Sequence, residues 1–191
     1  MRELEFADVA LLRLSRPAGV AANVVAWGVI HGATGYAVHR LPLERLQDDG
    51  WLLRPRAFER DGRWYERVGV RRWKDHLPEA GALFAGGVSK RSLSAGDDAT
   101  LERFVAETRR AEWGHWVALA SGPVALLWNP AAAGAVMVGY GIAVNAPFIA
   151  VQRYNRLRAY RVLERRAVRS RRSTSAPPAV LRSRTRGSSI P

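Results

Sequence analysis

Apolar and polar positions fall in long blocks along this chain instead of alternating residue by residue. Ala18 to His39 runs for 22 residues without Asp, Glu, Lys or Arg and is bracketed by Arg16-Pro17 and Arg40. That length matches the ~20 residues a helix needs to cross the hydrocarbon core of a bilayer. Within it, Gly28-Val29-Ile30-His31-Gly32 is a small-xxx-small step, which lets a second helix pack closely. A secretory signal peptide competes, because Arg2, Arg13 and Arg16 precede the run. The run is long for that role and lacks a small-x-small cleavage site before Arg40, so a retained anchor is expected. Trp113–Trp128 and Ala131–Val151 form two further apolar segments, separated by Asn129-Pro130. The second is long enough to span. The first is short, which leaves both a full crossing and a re-entrant hairpin open.

Between these blocks, residues 40 to 111 are mixed in charge and soluble in character. Asp61-Gly62 marks a turn, and Trp64, Tyr65, Val68 and Val70 give a short element an apolar side. Arg71-Arg72-Trp73-Lys74 places an aromatic among cations, as an interfacial anchor does. Residues 80 to 87 read as a Gly/Ala loop with neither GxxxxGK[ST] nor GxGxxG spacing, so no phosphate cradle is predicted. Asp97-Asp98 opens a helix, since acidic residues stabilise a helix N-terminus. Leu101, Phe104, Val105 and Thr108 then recur with helical spacing as one apolar stripe. Continued at ~100° per residue, that stripe takes in Glu112 and His115, with Arg109 on its flank and Arg110 opposite, toward solvent or headgroups.

Charge sharpens this picture. The net charge is +13, but residues from 152 onward carry twelve arginines against one glutamate, while the first 151 residues are nearly balanced. The basicity belongs to the C-terminal end, and nucleic-acid recognition by the body is disfavoured. Basic residues directly after an apolar hairpin suit the cytoplasmic face and anionic headgroups. From about Ser170 the chain reads as disordered, so the expected division is a body of residues 1–166 and a basic disordered tail of residues 167–191. The chain has no cysteine, which excludes disulfides, a thiol nucleophile and cysteine-ligated zinc; no metal or cofactor is expected. The predicted class is mostly α: a small integral membrane protein of the cell membrane, multi-pass. It has an N-terminal spanning helix, a middle region on the cytoplasmic face, a C-terminal membrane hairpin and a cytoplasmic tail.

Ionisable groups where a helix enters a bilayer are costly and mark candidate sites. Glu112 and His115, three apart on one helix, can share a hydrogen bond that orients the imidazole as a general base; structural ion pairing of Glu112 with Arg109 or a C-terminal arginine is the plainer alternative. His76 is a weak second candidate, and His31 is expected to make a helix-packing hydrogen bond. The histidines fit neither a Ser-His-Asp pattern nor HExxH nor HxxxxD. On the last helix Asn145, Gln152 and Arg156 share a face. Asn145 is expected to satisfy the carbonyl freed by Pro147, and Gln152, Arg153, Tyr154, Asn155 and Arg156 stand at headgroup level, where they suit a sugar, a phosphate or a lipid head.

Glu107-Thr108-Arg109-Arg110-Ala111-Glu112 with His115-Trp116, then Asn145-Ala146-Pro147-Phe148-Ile149 leading to Gln152-Arg153-Tyr154-Asn155-Arg156 and Arg158, resemble the glycosyl-4,4'-diaponeurosporenoate acyltransferase family of bacterial staphyloxanthin-type carotenoid biosynthesis. The resemblance takes in the early apolar segment and Arg72-Trp73-Lys74, and covers roughly residues 18 to 166. It implies an integral membrane enzyme that esterifies a fatty acyl group onto a sugar hydroxyl of a glycosylated carotenoid acid. Its partners would be that acceptor, a fatty acyl donor and membrane lipids, with no nucleic acid. On this reading His115 is the base oriented by Glu112, and Arg109 or Arg156 stabilises the oxyanion or holds donor phosphates. Asn145, Gln152 and Asn155 bind sugar hydroxyls, and Glu107, Arg110, Arg153 and Tyr154 complete the substrate-binding set. Two alternatives remain: a non-enzymatic membrane anchor or assembly protein with a lipid-binding basic tail, and a small membrane methyltransferase.

Overall fold

The computed structural model describes residues 10–59, 62–77 and 97–174, and among these it contains helices and turns but no strand. Helix α1 spans Arg16–His39, with Pro17 in its first turn, where a missing N–H costs nothing. Short helices follow: α2 (Gly50–Leu53), α3 (Arg63–Arg67) and α4 (Val70–Trp73), with 3₁₀ turns at Leu43–Leu46, Ala57–Glu59 and Lys74–His76. Gly62 and Gly69 precede α3 and α4 with positive φ (66° and 73°), which a Cβ would strain. Helix α5 covers Asp98–Ala120, and its N-cap is Asp97, whose side chain accepts from the Thr100 N–H at 2.8 Å. Helix α6 runs from Ala131 to Thr174. The Gly/Ala-rich stretch of residues 80–87 lies outside the described residues.

Three long helices form the frame. Val38 packs on Gly114, while Trp27 packs on Gly122 and Gly141, so α1 and α5 run antiparallel. Helix α6 returns alongside α5: Gly122 faces Val138, His115 meets Asn145, and Asp98 pairs with Arg166. Contacts across the α5–α6 interface dominate the fold, and α1 leans on α5. The connection between α5 and α6 is clasped to the start of α1, because Asn23 accepts from Trp128 (2.8 Å) and Asn129 (2.7 Å) side chains. At the opposite end, α2 to α4 cap the bundle through a cluster of Tyr65, Val70, Val151, Tyr154 and Leu157. Of the expected apolar side, Tyr65 and Val70 are buried, while Trp64 and Val68 are exposed. Trp73 is half-buried and donates to the Val68 carbonyl.

Several expectations are corrected here. The apolar segment Trp113–Trp128 is not one helix; α5 ends at Ala120 and a 3₁₀ turn occupies Gly122–Leu127. The longer 3₁₀ rise (~2.0 Å against ~1.5 Å) extends this segment alongside α6 despite its few residues. Helix α6 continues to Thr174, several residues into the expected disordered tail, because Ala and Arg are good helix formers and no Pro or Gly intervenes there; residues 175–191 lie outside the described residues. Nothing lies within 4 Å of a Cβ built on Gly28 or Gly32, so the small-xxx-small step packs no helix among the described residues. Finally, α6 is the one described helix long and apolar enough to cross a membrane. In α1, Asn23, His31 and interspersed glycines dilute the apolar run.

Candidate functional site

Two polar assemblies lie between α5 and α6, one roughly a turn beyond the other. The first centres on Glu112, fully buried. Its carboxylate receives Arg153 Nε at 2.6 Å, pairs with Arg156 Nη2 at 2.7 Å, and accepts from Trp116 Nε1 at 3.0 Å. The two arginines also reach the segment that precedes α3. Arg153 Nη1 pairs with Glu59 at 2.9 Å and its Nη2 donates to the Leu52 carbonyl at 2.7 Å. Arg156 Nη2 donates to the Leu53 carbonyl at 2.7 Å. Arg109 lies beside them, donating to Asp49 (2.8 Å), the Leu46 carbonyl (2.8 Å) and the Tyr160 hydroxyl (2.6 Å).

Burial at such a place favours neutral forms, and partners decide the outcome. Burial raises the Glu59 carboxyl, but the Arg56 N–H, the Tyr65 hydroxyl and Arg153 together hold it below the usual carboxylate range. Burial would lower Arg153, yet Glu112 and Glu59 raise it, so it stays charged. Tyr65 is driven well above its ordinary value by burial and the adjacent Glu59 carboxylate. Burial and the Asp49 charge push Tyr160 up to about 12. The cluster is thus a set of fixed charges matched by opposite charges, an arrangement that ties the segment from Leu46 to Glu59 against α5 and α6.

The second assembly is smaller. His115 Nδ1 lies 3.0 Å from Asn145 Oδ1, and its ring stacks on Phe148 with centroids 4.7 Å apart. Asn145 is fully buried, and its Nδ2 donates to the Gly141 carbonyl at 2.9 Å. That bond sets the amide with its nitrogen toward the backbone and its oxygen toward the imidazole. An amide oxygen only accepts, so Nδ1 carries the proton and Nε2 of the neutral ring presents a lone pair. Helix register explains why these groups meet: Gly141 and Asn145 are one turn apart, and the close seat of Trp27 on Gly141 fixes that face of α6.

The predicted site residues therefore divide. The expected partnership of Glu112 with His115 is not formed; Glu112 belongs to the arginines and Trp116, and Asn145 holds the imidazole. Asn145 bonds Gly141, not the Ala143 carbonyl that Pro147 leaves without its helical donor. Arg109, Arg153 and Arg156 are buried and committed to protein partners, although Arg156 Nε and Nη1 make no hydrogen bond. Tyr154 is buried with its hydroxyl on Glu66 at 3.2 Å. Arg110 is half-buried instead of solvated, donating to Glu107 (3.2 Å) and the Leu41 carbonyl (2.8 Å), and its buried Nε has no partner. Gln152 and Asn155 are half-buried. His76 is exposed; His31, also exposed, stacks on Trp27 and makes no packing hydrogen bond among the described residues. Among the described residues no cluster of His, Asp and Glu suits a metal ion.

Sequence reasoning missed Asp49, Glu59 and Tyr160 as partners of the arginines, and Tyr65 as a partner of Glu59, because they come from irregular or distant segments without periodicity. Trp116 and Phe148 carried a legible signal: each stands on a helix at i+4 or i+3 from an assigned polar residue.

With this geometry in hand, comparison with known proteins is informative. A family model described as glycosyl-4,4'-diaponeurosporenoate acyltransferase matches residues 49–165. The protein of that name from Staphylococcus aureus (strain bovine RF122 / ET3-1) is 30% identical over 136 residues, covering 68% of this chain and 81% of its own length. The corresponding protein of strain Newman is 29% identical over the same shares. No solved structure matches.

Proposed function

The chain belongs to the glycosyl-4,4'-diaponeurosporenoate acyltransferase family, and from that membership we propose that it esterifies a fatty acyl group onto a sugar hydroxyl of a glycosylated carotenoid acid at a membrane surface. Membership makes it an acyltransferase; the acceptor, the membrane setting and the residue roles are this reading's own. The observation that carries it is the His115–Asn145 pair, in which Asn145 takes Nδ1 and leaves Nε2 without a partner among the described residues, beside the ring of Phe148. In the reaction, Nε2 takes the proton of the sugar hydroxyl as its oxygen attacks the carbonyl of an activated acyl donor. The new C–O bond forms, the bond to the leaving group breaks, and the leaving group recovers the proton from Nε2. A positioned base of this kind contributes ~10²–10⁴-fold.

Side chains above His115 suit the polar half of the acceptor. With Asn145 at 0° on the wheel of α6, Phe148 falls near ~300°, Gln152 near ~340° and Asn155 near ~280°. Gln152 and Asn155 thus share the face that meets His115, and neither side chain hydrogen-bonds within the described residues. We assign them to sugar hydroxyls, and Arg110, through its free Nε, to the donor's polar group. Arg109, Glu112, Arg153 and Arg156 hold the scaffold. The membrane reading is supported by the apolar length of α6 and by exposed Val20, Val24, Val25 and Val29 on α1 with Val136 and Ile142 on α6, a patch that water would disfavour. The arginine-rich end of α6 sets its own side of the bundle as cytoplasmic.

The test is mass spectrometry of lipid extracts from cells that make a glycosylated carotenoid acid, with and without this chain. One added fatty acyl mass per acceptor, absent for His115→Ala at equal membrane content, is expected. Undiminished ester with His115→Ala would remove the base assignment; no ester with the unaltered chain would remove the acceptor assignment.

A further inference from the structure

We propose that the groove between α1 and α6 is the binding site for the hydrocarbon chain of the acyl donor, which lies along α1 with its carbonyl end at His115; this rests on the acyl-transfer reading above. The groove is open along one side, holds about 510 Å³, and is lined by Val20, Val24, Trp27, Gly28, Met137 and Tyr140, with the polar Asn23 and His31 among them. That volume is in the range of small-ligand sites, and its walls are apolar over most of their length. Gly28 contributes to the space directly, since a Cβ there would meet nothing within 4 Å.

Three observations tie this groove to the reacting end. Trp27 is pinned to α6 at Gly141, where a Cβ would come within 2.6 Å of its ring. One turn further along α6 stands Asn145, which holds His115; one turn further along α1, running the same way, stands His31. The two histidines are therefore level along the bundle. His31 stacks on Trp27 with centroids 5.4 Å apart, and Trp27 meets Tyr140 edge-on at 5.2 Å, so aromatic rings line the groove at the level of His115 along the bundle.

Chemistry then chooses the occupant. The acyl carbonyl has to meet the hydroxyl that His115 deprotonates, so the donor's chain begins at this end of the groove. The acceptor's polyene is set off from the same hydroxyl by a whole sugar ring. From His31 back to Val20, α1 rises roughly 16 Å. An extended chain advances roughly 1.2 Å per bond, by comparison with the ~3.6 Å spanned by three backbone bonds, so the groove measures about 13 carbons.

Full-length protein in native membranes provides the test. A saturated fatty acyl probe of about 12 carbons with a terminal diazirine is expected to label Val20, Val24 or Met137 and to lose that labelling in Gly28→Phe. Given a mixture of acyl donors, Gly28→Phe is expected to lower the ratio of long-chain to short-chain ester by roughly tenfold or more, as filling a hydrophobic pocket does. If Gly28→Phe fails to accumulate, Val20→Phe narrows the far end of the same groove and is expected to trim only the longest chains. Labelling elsewhere, an unchanged chain-length distribution, or protection by the glycosylated polyene but not by a fatty acyl competitor would overturn the proposal. Labelling at Val20 and Val24 without ester formation would uphold the groove and reject the reaction; ester formation with labelling elsewhere would do the reverse.

Discussion

The two polar assemblies between α5 and α6 use the same elements to opposite ends. Around Glu112, each charge is answered by another charge or a carbonyl, and the result fixes where the Leu46–Glu59 segment lies. Around His115, a single amide oxygen takes one ring nitrogen and leaves the other free. Under the proposed function, matched charges mark the scaffold and the open ring nitrogen marks the reactive group. Motif position alone does not separate them, since Glu112 and His115 are neighbours in one motif.

Substitutions can break this contrast in graded steps. His115→Ala is expected to lower ester formation by ~10²–10⁴-fold while the protein remains folded, read by product mass at matched protein level. Glu112→Ala is expected to act on the fold instead, costing about 3–5 kcal/mol because Arg153 and Arg156 are left buried without their counter-charge. Its readout is protease resistance or thermal aggregation of the folded chain, and a folded, inactive Glu112→Ala would move Glu112 into the reactive group.

Gly141→Ala forces a Cβ against Trp27, an overpacking penalty of about 1–3 kcal/mol, relieved when Trp27→Leu is added. Asn145→Ala removes one hydrogen bond that fixes the imidazole, for about a tenfold loss of turnover with little change in substrate affinity.

The smallest effect concerns pH. Glu59 has a folded pKa below its ordinary value, so its contribution is fully present above the ordinary carboxylate range and fades as pH falls through the lowered folded value. Glu59→Gln is expected to flatten that acid limb of a stability profile.

Much of this was legible in the residues. The cap at Asp97, the stripe of Leu101, Phe104, Val105 and Thr108, and the burial of Glu112 followed from helical spacing and charge, and all appear in the fold. What spacing along one helix cannot supply is the partner across the interface. Glu112 and His115 are adjacent on α5, but α6 presents Arg153 to one and Asn145 to the other, and that choice depends on the offset between two helices. Asp49 and Glu59 were illegible for a related reason: they sit on turns of no fixed period, and their importance lies in what they touch. The break at Ala120 is masked by the uncharged run around it, in which Ser121-Gly122-Pro123 is the turn signal.

The ion cluster also imposes a schedule on synthesis. Asp49, Glu59, Arg109 and Glu112 leave the ribosome before the turn between α5 and α6 has been made, and Arg153 and Arg156 come only after that turn and the first half of α6. Until those arginines arrive, the carboxylate of Glu112 has neither of its counter-ions, and drawing it away from water is unfavourable. The acidic part of α5 therefore stays in water until the middle turns of α6 emerge, and those turns allow it to dock.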